Sequence, residues 1–173
     1  MEISSQKKEV LEAMGVALLL LQTAEKVIRL CTTFVFQKDS PLTLDLLKQQ
    51  EDVERTKTMG YFLSELRKRV SVHESFDAVL RDFLRNRNNF IHDLSKVPHW
   101  DFYTAETSIE AKRFVFALIQ QTEKVLKVFA GLILAWQEQA GMSEPLSPSH
   151  EWFAEVEKTY KPLVDGLFYA KDT

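Results

Sequence analysis

The chain has 173 residues, enough for one ordinary domain with a core of useful size. It is 45% hydrophobic and 27% charged, with a net charge of -3, which excludes a wholly basic nucleic-acid coat protein but not a local basic groove. Five Gly and five Pro are few for this length, and scarce breakers favour long helices over many short strands. Cys31 is the only cysteine, so an intrachain disulfide and a cysteine-rich zinc site are both excluded, and its simplest role is that of a small apolar residue on a helix.

In chain order, Ser4 or Ser5 can cap a first helix that meets no Pro before about residue 36. Val10, Ala13, Ala17, Leu20, Ala24, Val27, Leu30 and Phe34 recur at three and four, the helical period. Such a helix would be about 48 Å long at 1.5 Å per residue. The apolar run Met14 to Leu21 is too short to span a bilayer, and no small-residue cleavage site follows it. A cytoplasmic protein that makes no use of a membrane is therefore expected. Residues 37–41 read as a turn, and Leu42, Leu44, Leu46 and Leu47 as a short, ambiguous apolar patch.

A second helix is expected from about Glu54 to Val70, on the face Met59, Phe62, Leu63, Leu66 and Val70. Arg67, Lys68 and Arg69 in its last turn suit the helix dipole. A third runs from about Glu74 to Leu94, and Pro98 stops the loop that follows. Thr104 or Thr107 caps a second long helix reaching about Ala140, with Ile109, Phe116, Ile119, Val125, Leu126, Phe129, Ile133 and Trp136 as core. Gly141 is its natural stop. A connector holding Pro145 and Pro148 leads to a final helix from near Ser149, with Trp152, Phe153, Val156 and Tyr160; Pro162 ends or bends it. The sum is an all-α chain, a single domain over 1–173, arranged as an up-down bundle of four main helices with an additional C-terminal helix.

The third helix carries the chemistry. Phe76, Val79, Leu80, Phe83, Phe90, Ile91 and Leu94 cluster on one side at about 100° per residue. Arg87 stands where that stripe should continue, and a guanidinium there must pair with an acid or face a cleft or an interface. On the opposite side Arg81, Arg85, Asn88 and His92 share one polar stripe. Arg87 and His92 are about 140° apart around an ideal helix. Their head groups meet only if the helix distorts, if Arg87 reaches around, or if a second protomer completes the site.

Arg, Asn and His together suit cleavage of an RNA phosphodiester without a metal. A neutral imidazole can take the 2′-hydroxyl proton, a guanidinium can stabilise the phosphoryl oxygens, and an amide can orient either. The second acid-base group has to come from elsewhere, and a two-fold dimer supplies another His92. The bland alternatives are a salt-bridged Arg87, a solvated His92, and a solvated face for Arg81 and Arg85. From 67 to 96 there are seven Lys/Arg against four Asp/Glu, a local excess suited to a phosphate backbone. His99, Trp100, Phe102 and Tyr103 offer either a base-stacking platform or a cap on the bundle. No set of side chains has convincing metal-ligand spacing, and no cofactor is expected.

The segment Leu80-Arg-Asp-Phe-Leu-Arg-Asn-Arg-Asn-Asn-Phe-Ile-His-Asp-Leu94 resembles the HEPN family. HEPN domains are all-α, usually dimeric bundles whose signature is Arg, four to six residues, then His, commonly with a polar residue after the Arg. Many are metal-independent endoribonucleases of toxin–antitoxin, abortive-infection and CRISPR systems; others are inactive RNA-binding or scaffold domains. The resemblance implies that Arg87, Asn88 and His92 are catalytic, that Arg81 and Arg85 contact RNA, and that the partners are RNA, a second copy and an antitoxin or defence protein. Arg85-Asn86 also fits the signature with a longer spacing, so Arg85 remains a rival to Arg87. The position two after His92 is Leu94, where HEPN toxins paired with a nucleotidyltransferase often have Tyr, which sets this chain apart from that control. Beside the nuclease stand two other readings, a catalytically silent adaptor and a plain helical interaction protein.

Overall fold

The computed structural model describes residues 5–35, 57–98, 100–101, 104–141 and 151–171. These residues are mostly helical, with one short two-stranded ladder. In chain order, α1 spans Ser5–Leu30 and ends in a π-helical turn, Cys31–Val35. Helix α2 spans Met59–Arg69, strand β1 Val70–Val72, helix α3 Glu74–His92 and helix α4 Ala105–Gln139. The C-terminal part comprises α5 Glu151–Glu155, a π-helical turn Val156–Tyr160, a 3-10 turn Lys161–Leu163, α6 Val164–Leu167 and β2 Phe168–Ala170. No described helix is long and apolar enough to cross a membrane. The patch Leu42–Leu47 and the connector 142–150 lie outside the described residues.

The fold divides into two compact units, Met1–Ala24 with Ala78–Val125, and Glu25–Asp77 with Leu126–Thr173. In the first, α1 buries Val10, Ala13, Ala17, Leu21 and Ala24. Val10, Ala17 and Ala24 are seven apart, so they stay on one face. The expected stripe is corrected at its far end: Leu21, Ile28 and Cys31 are buried, whereas Leu30 is 45% exposed. The expected core of α4 is corrected as well. Ile109 and Phe116 are exposed at 50% and 45%, and Ala111, Val115, Leu118 and Thr122 are buried instead, whereas Val125, Leu126 and Phe129 are buried as expected. Thr122 is accommodated because its hydroxyl donates to the Leu118 carbonyl at 2.7 Å. Glu9 and Lys112 join α1 to α4 at 2.6 Å.

In the second unit Met59, Phe62, Leu63 and Leu66 bury one face of α2. Thr58 caps this helix, its side chain accepting from the Tyr61 amide at 3.4 Å. The described helix begins at Met59, and the expected start near Glu54 lies outside the described residues. It ends where Val70 turns extended, φ -133° and ψ 155°. Val70, Ser71 and Val72 then pair antiparallel with Ala170, Tyr169 and Phe168. This ladder is absent from the expectation of an all-helical chain. Phe76, Phe129 and Phe168 form a ring cluster with centroids 5.6 to 6.2 Å apart. The final helix expected from Ser149 is broken into short turns, with Pro162 in the 3-10 segment. Ion pairs of Lys127 with Glu155 and of Lys161 with Glu138, both 2.8 Å, fasten it to α4.

Candidate functional site

Helix α3 starts under clear local control. The His73 carbonyl accepts from the Phe76 and Asp77 amides at 3.0 and 2.9 Å, and Nδ1 of His73 accepts from the Ser75 amide at 3.3 Å. Glu74 and Asp77 in the first turn suit the positive helix end. His73 thus serves the helix start. The apolar stripe is realised as Phe76, Leu80, Phe83 and Phe90, all at most 7% exposed. The spacing is four, three and seven, and the gap of seven is the place of Arg87.

Arg87 is half-buried and does not continue into the core. Its Nη1 donates to Asn88 Oδ1 at 3.1 Å and lies 3.2 Å from His92 Nε2. The helix remains α-helical through His92, and the Asp93 amide still donates to the Asn89 carbonyl at 3.0 Å. Of the three ways for the head groups to meet, the side chain reaching around the last helical turn is the one observed. One guanidinium nitrogen therefore joins Arg87, Asn88 and His92. A guanidinium has donors only, so Nε2 of His92 is the acceptor in this contact.

Arg81, Arg85, Asn88 and His92 are all exposed, so the opposite polar stripe faces solvent. Arg85 Nη2 pairs with Asp82 Oδ1 at 2.9 Å and takes no part in the Arg87–His92 cluster. Asn86, next to Arg87, donates through Nδ2 to Gln121 Oε1 at 3.0 Å and so ties α3 to α4 beside the cluster. The sequence marks Asn86 only as the polar residue after Arg85 and does not anticipate this contact. Helix-period arithmetic places it between the two stripes, where a polar side chain meets a neighbouring helix.

Beyond His92 the sequence Asp93-Leu-Ser-Lys forms a 3-10 turn, Leu94–Lys96. The Ser95 hydroxyl, followed by the Lys96 ammonium, holds the Asp93 carboxyl below its ordinary range. Lys96 Nζ is 3.2 Å from Asp93 Oδ2. This turn also went unremarked, although an Asp two before a Ser is a recognisable turn signal. Trp100 packs edge-on against Phe114 of α4, with centroids 6.1 Å apart at 84°. His99, Phe102 and Tyr103 lie outside the described residues. Among the described residues no three His, Cys, Asp or Glu side chains stand together as a metal-holding set.

Comparison with protein-family models, with curated proteins and with solved structures finds no match.

Proposed function

We propose that this chain is a HEPN-like, metal-independent endoribonuclease, with an up-down bundle of HEPN type and a site completed at the cleft of a homodimer. The observation that carries the reading is the Arg87 guanidinium bonded to both Asn88 and His92 on the surface of α3. Exposure lets a polymeric substrate approach, and the guanidinium is already beside the imidazole. When a phosphoryl group arrives, it competes for the Arg87 donors and releases Nε2. The released nitrogen takes the 2′-hydroxyl proton, the 2′-oxygen attacks phosphorus, and the 5′-oxygen leaves with a proton from an acid across the cleft. His92 of a second copy, as an imidazolium, is that acid, so one ring gains the proton that the other gives up. The products are a 2′,3′-cyclic phosphate and a 5′-hydroxyl. Asn88 orients, Arg81 and Arg85 follow the RNA backbone, and the cellular setting is that of a cytoplasmic toxin or defence effector with an antitoxin or defence partner.

The test is cleavage of a labelled single-stranded RNA by purified protein in EDTA. Removing an acid-base group costs about 10²- to 10⁴-fold, so His92→Ala should lose at least the lower figure and Arg87→Ala a comparable one. Equal cleavage by the wild type and His92→Ala refutes the mechanism. The Arg87–Nε2 hydrogen bond also favours a second reading, in which the motif organises a catalytically silent RNA-binding adaptor. RNA binding without cleavage under any condition identifies that case.

A further inference from the structure

We propose that the second unit holds a binding site for a small zwitterion with an apolar body, of which an aromatic amino acid is the model. A cavity of about 420 Å³ opens beside the β1–β2 ladder. Its size falls within the range of small-molecule sites, which begin at about 300 Å³. Val70, Leu132, Trp136, Val164 and Phe168 supply an apolar and aromatic wall. Two charged side chains, Arg69 and Asp165, share that wall, and no ion pair joins them.

Each charge is placed by the fold. Arg69 is the last residue of α2, and its Nη1 donates to the Thr32 carbonyl in the π-helical turn after α1. That bond uses one of five guanidinium donors and fixes the side chain at the cavity. Single π turns of this kind recur at functional sites. Asp165 lies on α6, three residues before β1's partner strand begins at Phe168. A wall with one cation and one anion around an apolar space is complementary to a molecule that carries both signs. A simple anion would meet Asp165, and a simple amine would meet Arg69. A carboxylate fits the planar fork of Arg69, and an ammonium fits Asp165.

The experiment is calorimetric titration of the full chain with L-phenylalanine and L-tryptophan, beside 3-phenylpropionate and phenethylamine. The last two probes each keep the ring and one charge. Saturable binding of the amino acids is expected, with each single-charge analogue weaker by about tenfold or more, the size of one lost charge-assisted hydrogen bond. Asp165→Asn should bring phenylalanine down to the level of 3-phenylpropionate. Arg69→Gln should bring it down to that of phenethylamine. Ala135→Leu narrows the cavity without touching either charge and should abolish binding of every probe. Should Arg69→Gln fail to fold for want of its bond to Thr32, Asp165→Asn and Ala135→Leu carry the test between them. Absence of saturable binding by the amino acids at millimolar concentration overturns the proposal. So does equal affinity for the zwitterions and the single-charge analogues, or undiminished binding by Ala135→Leu.

Discussion

Two glycines in helix interiors make opposite predictions for the same substitution. A Cβ on Gly131 of α4 would stand 2.9 Å from the Lys161 amide nitrogen, 3.0 Å from the Tyr160 carbonyl carbon and 3.2 Å from the Lys161 Cα. Ordinary contact begins near 3.4 Å, so the neighbour must retreat by 0.5 Å (3.4 less 2.9). The neighbour is backbone, and it is held by the Lys161–Glu138 and Lys127–Glu155 pairs and by fully buried Val156. Overpacking of this kind costs about 1–3 kcal/mol. Alanine also recovers about 0.5–1 kcal/mol of helix propensity, which offsets part of that cost. Among the described residues, nothing lies within 4 Å of the same carbon added to Gly15 of α1, so Gly15→Ala collects the propensity gain alone. At roughly 2–4 °C per kcal/mol for a chain of this size, Gly15→Ala should raise Tm by about 1–4 °C. Gly131→Ala, with a net cost of up to about 2.5 kcal/mol, should lower it by up to about 10 °C. The difference between the variants, in which propensity cancels, is about 1–3 kcal/mol and is read from urea unfolding followed by far-UV circular dichroism. A Gly131→Ala protein as stable as Gly15→Ala would refute the close approach of the 160–161 backbone to α4.

Three further outcomes follow from single side chains. The Asp93 carboxyl is held low by Ser95 and then Lys96, so any stability it adds is present above its unfolded titration and is lost as pH falls through its folded one. Ser95→Ala should move the Asp93 midpoint upward in a carboxyl NMR titration, and an unmoved midpoint contradicts the assignment to Ser95. Burial pushes the Cys31 thiol far above its ordinary range, and its Sγ donates to the Phe129 carbonyl at 3.4 Å. The thiol should resist a disulfide reagent in the native protein and react at once in denaturant; rapid native labelling would contradict the burial. With Nε2 of His92 accepting from Arg87, the neutral ring carries its proton on Nδ1, which nitrogen-15 NMR reads directly. An Nε2–H ring in the wild type would show that the Arg87 contact is not made in solution.

Much of the helical layout could be read from the sequence, because breakers and caps act locally. Gly141 has φ +67°, which is why α4 stops there, and Thr104 accepts from the Thr107 amide at 3.2 Å, as a cap does. The apolar phase was harder. Leu20 and Leu21 are adjacent and chemically identical, so periodicity alone could not say which enters the core of α1; only packing decides, and it takes Leu21. The same ambiguity misplaced Ile109 and Phe116, since Ala111 and Val115 offer a competing stripe of smaller residues that permits closer approach. The β1–β2 ladder escaped because its strands are three residues long and almost a hundred apart, and no local period signals such a pairing. On α3, by contrast, strong amphipathicity fixed the phase. The buried Phe83 and Phe90 bracket Arg87 as the sequence pattern requires.

The choice between Arg85 and Arg87 turns on where each guanidinium can spend its donors. An ideal helix puts Arg85 nearer in angle to His92, yet Arg85 has an acid three residues earlier and pairs with Asp82 in solvent. Arg87 stands on the edge of the apolar stripe, between the buried Phe83 and Phe90. Its flexible stem lies along the helix and its fork reaches the polar stripe, at Asn88 Oδ1 and His92 Nε2. The interruption of the stripe and the assembly of the cluster are therefore one event. A residue placed for core packing would have been apolar, and one placed only for solvation would sit with Arg81 and Arg85. An anionic ligand that draws Arg87 away from Nε2 would at the same stroke supply the imidazole with a lone pair. On the nuclease proposed above, charge recognition and base exposure would then be linked through a single side chain.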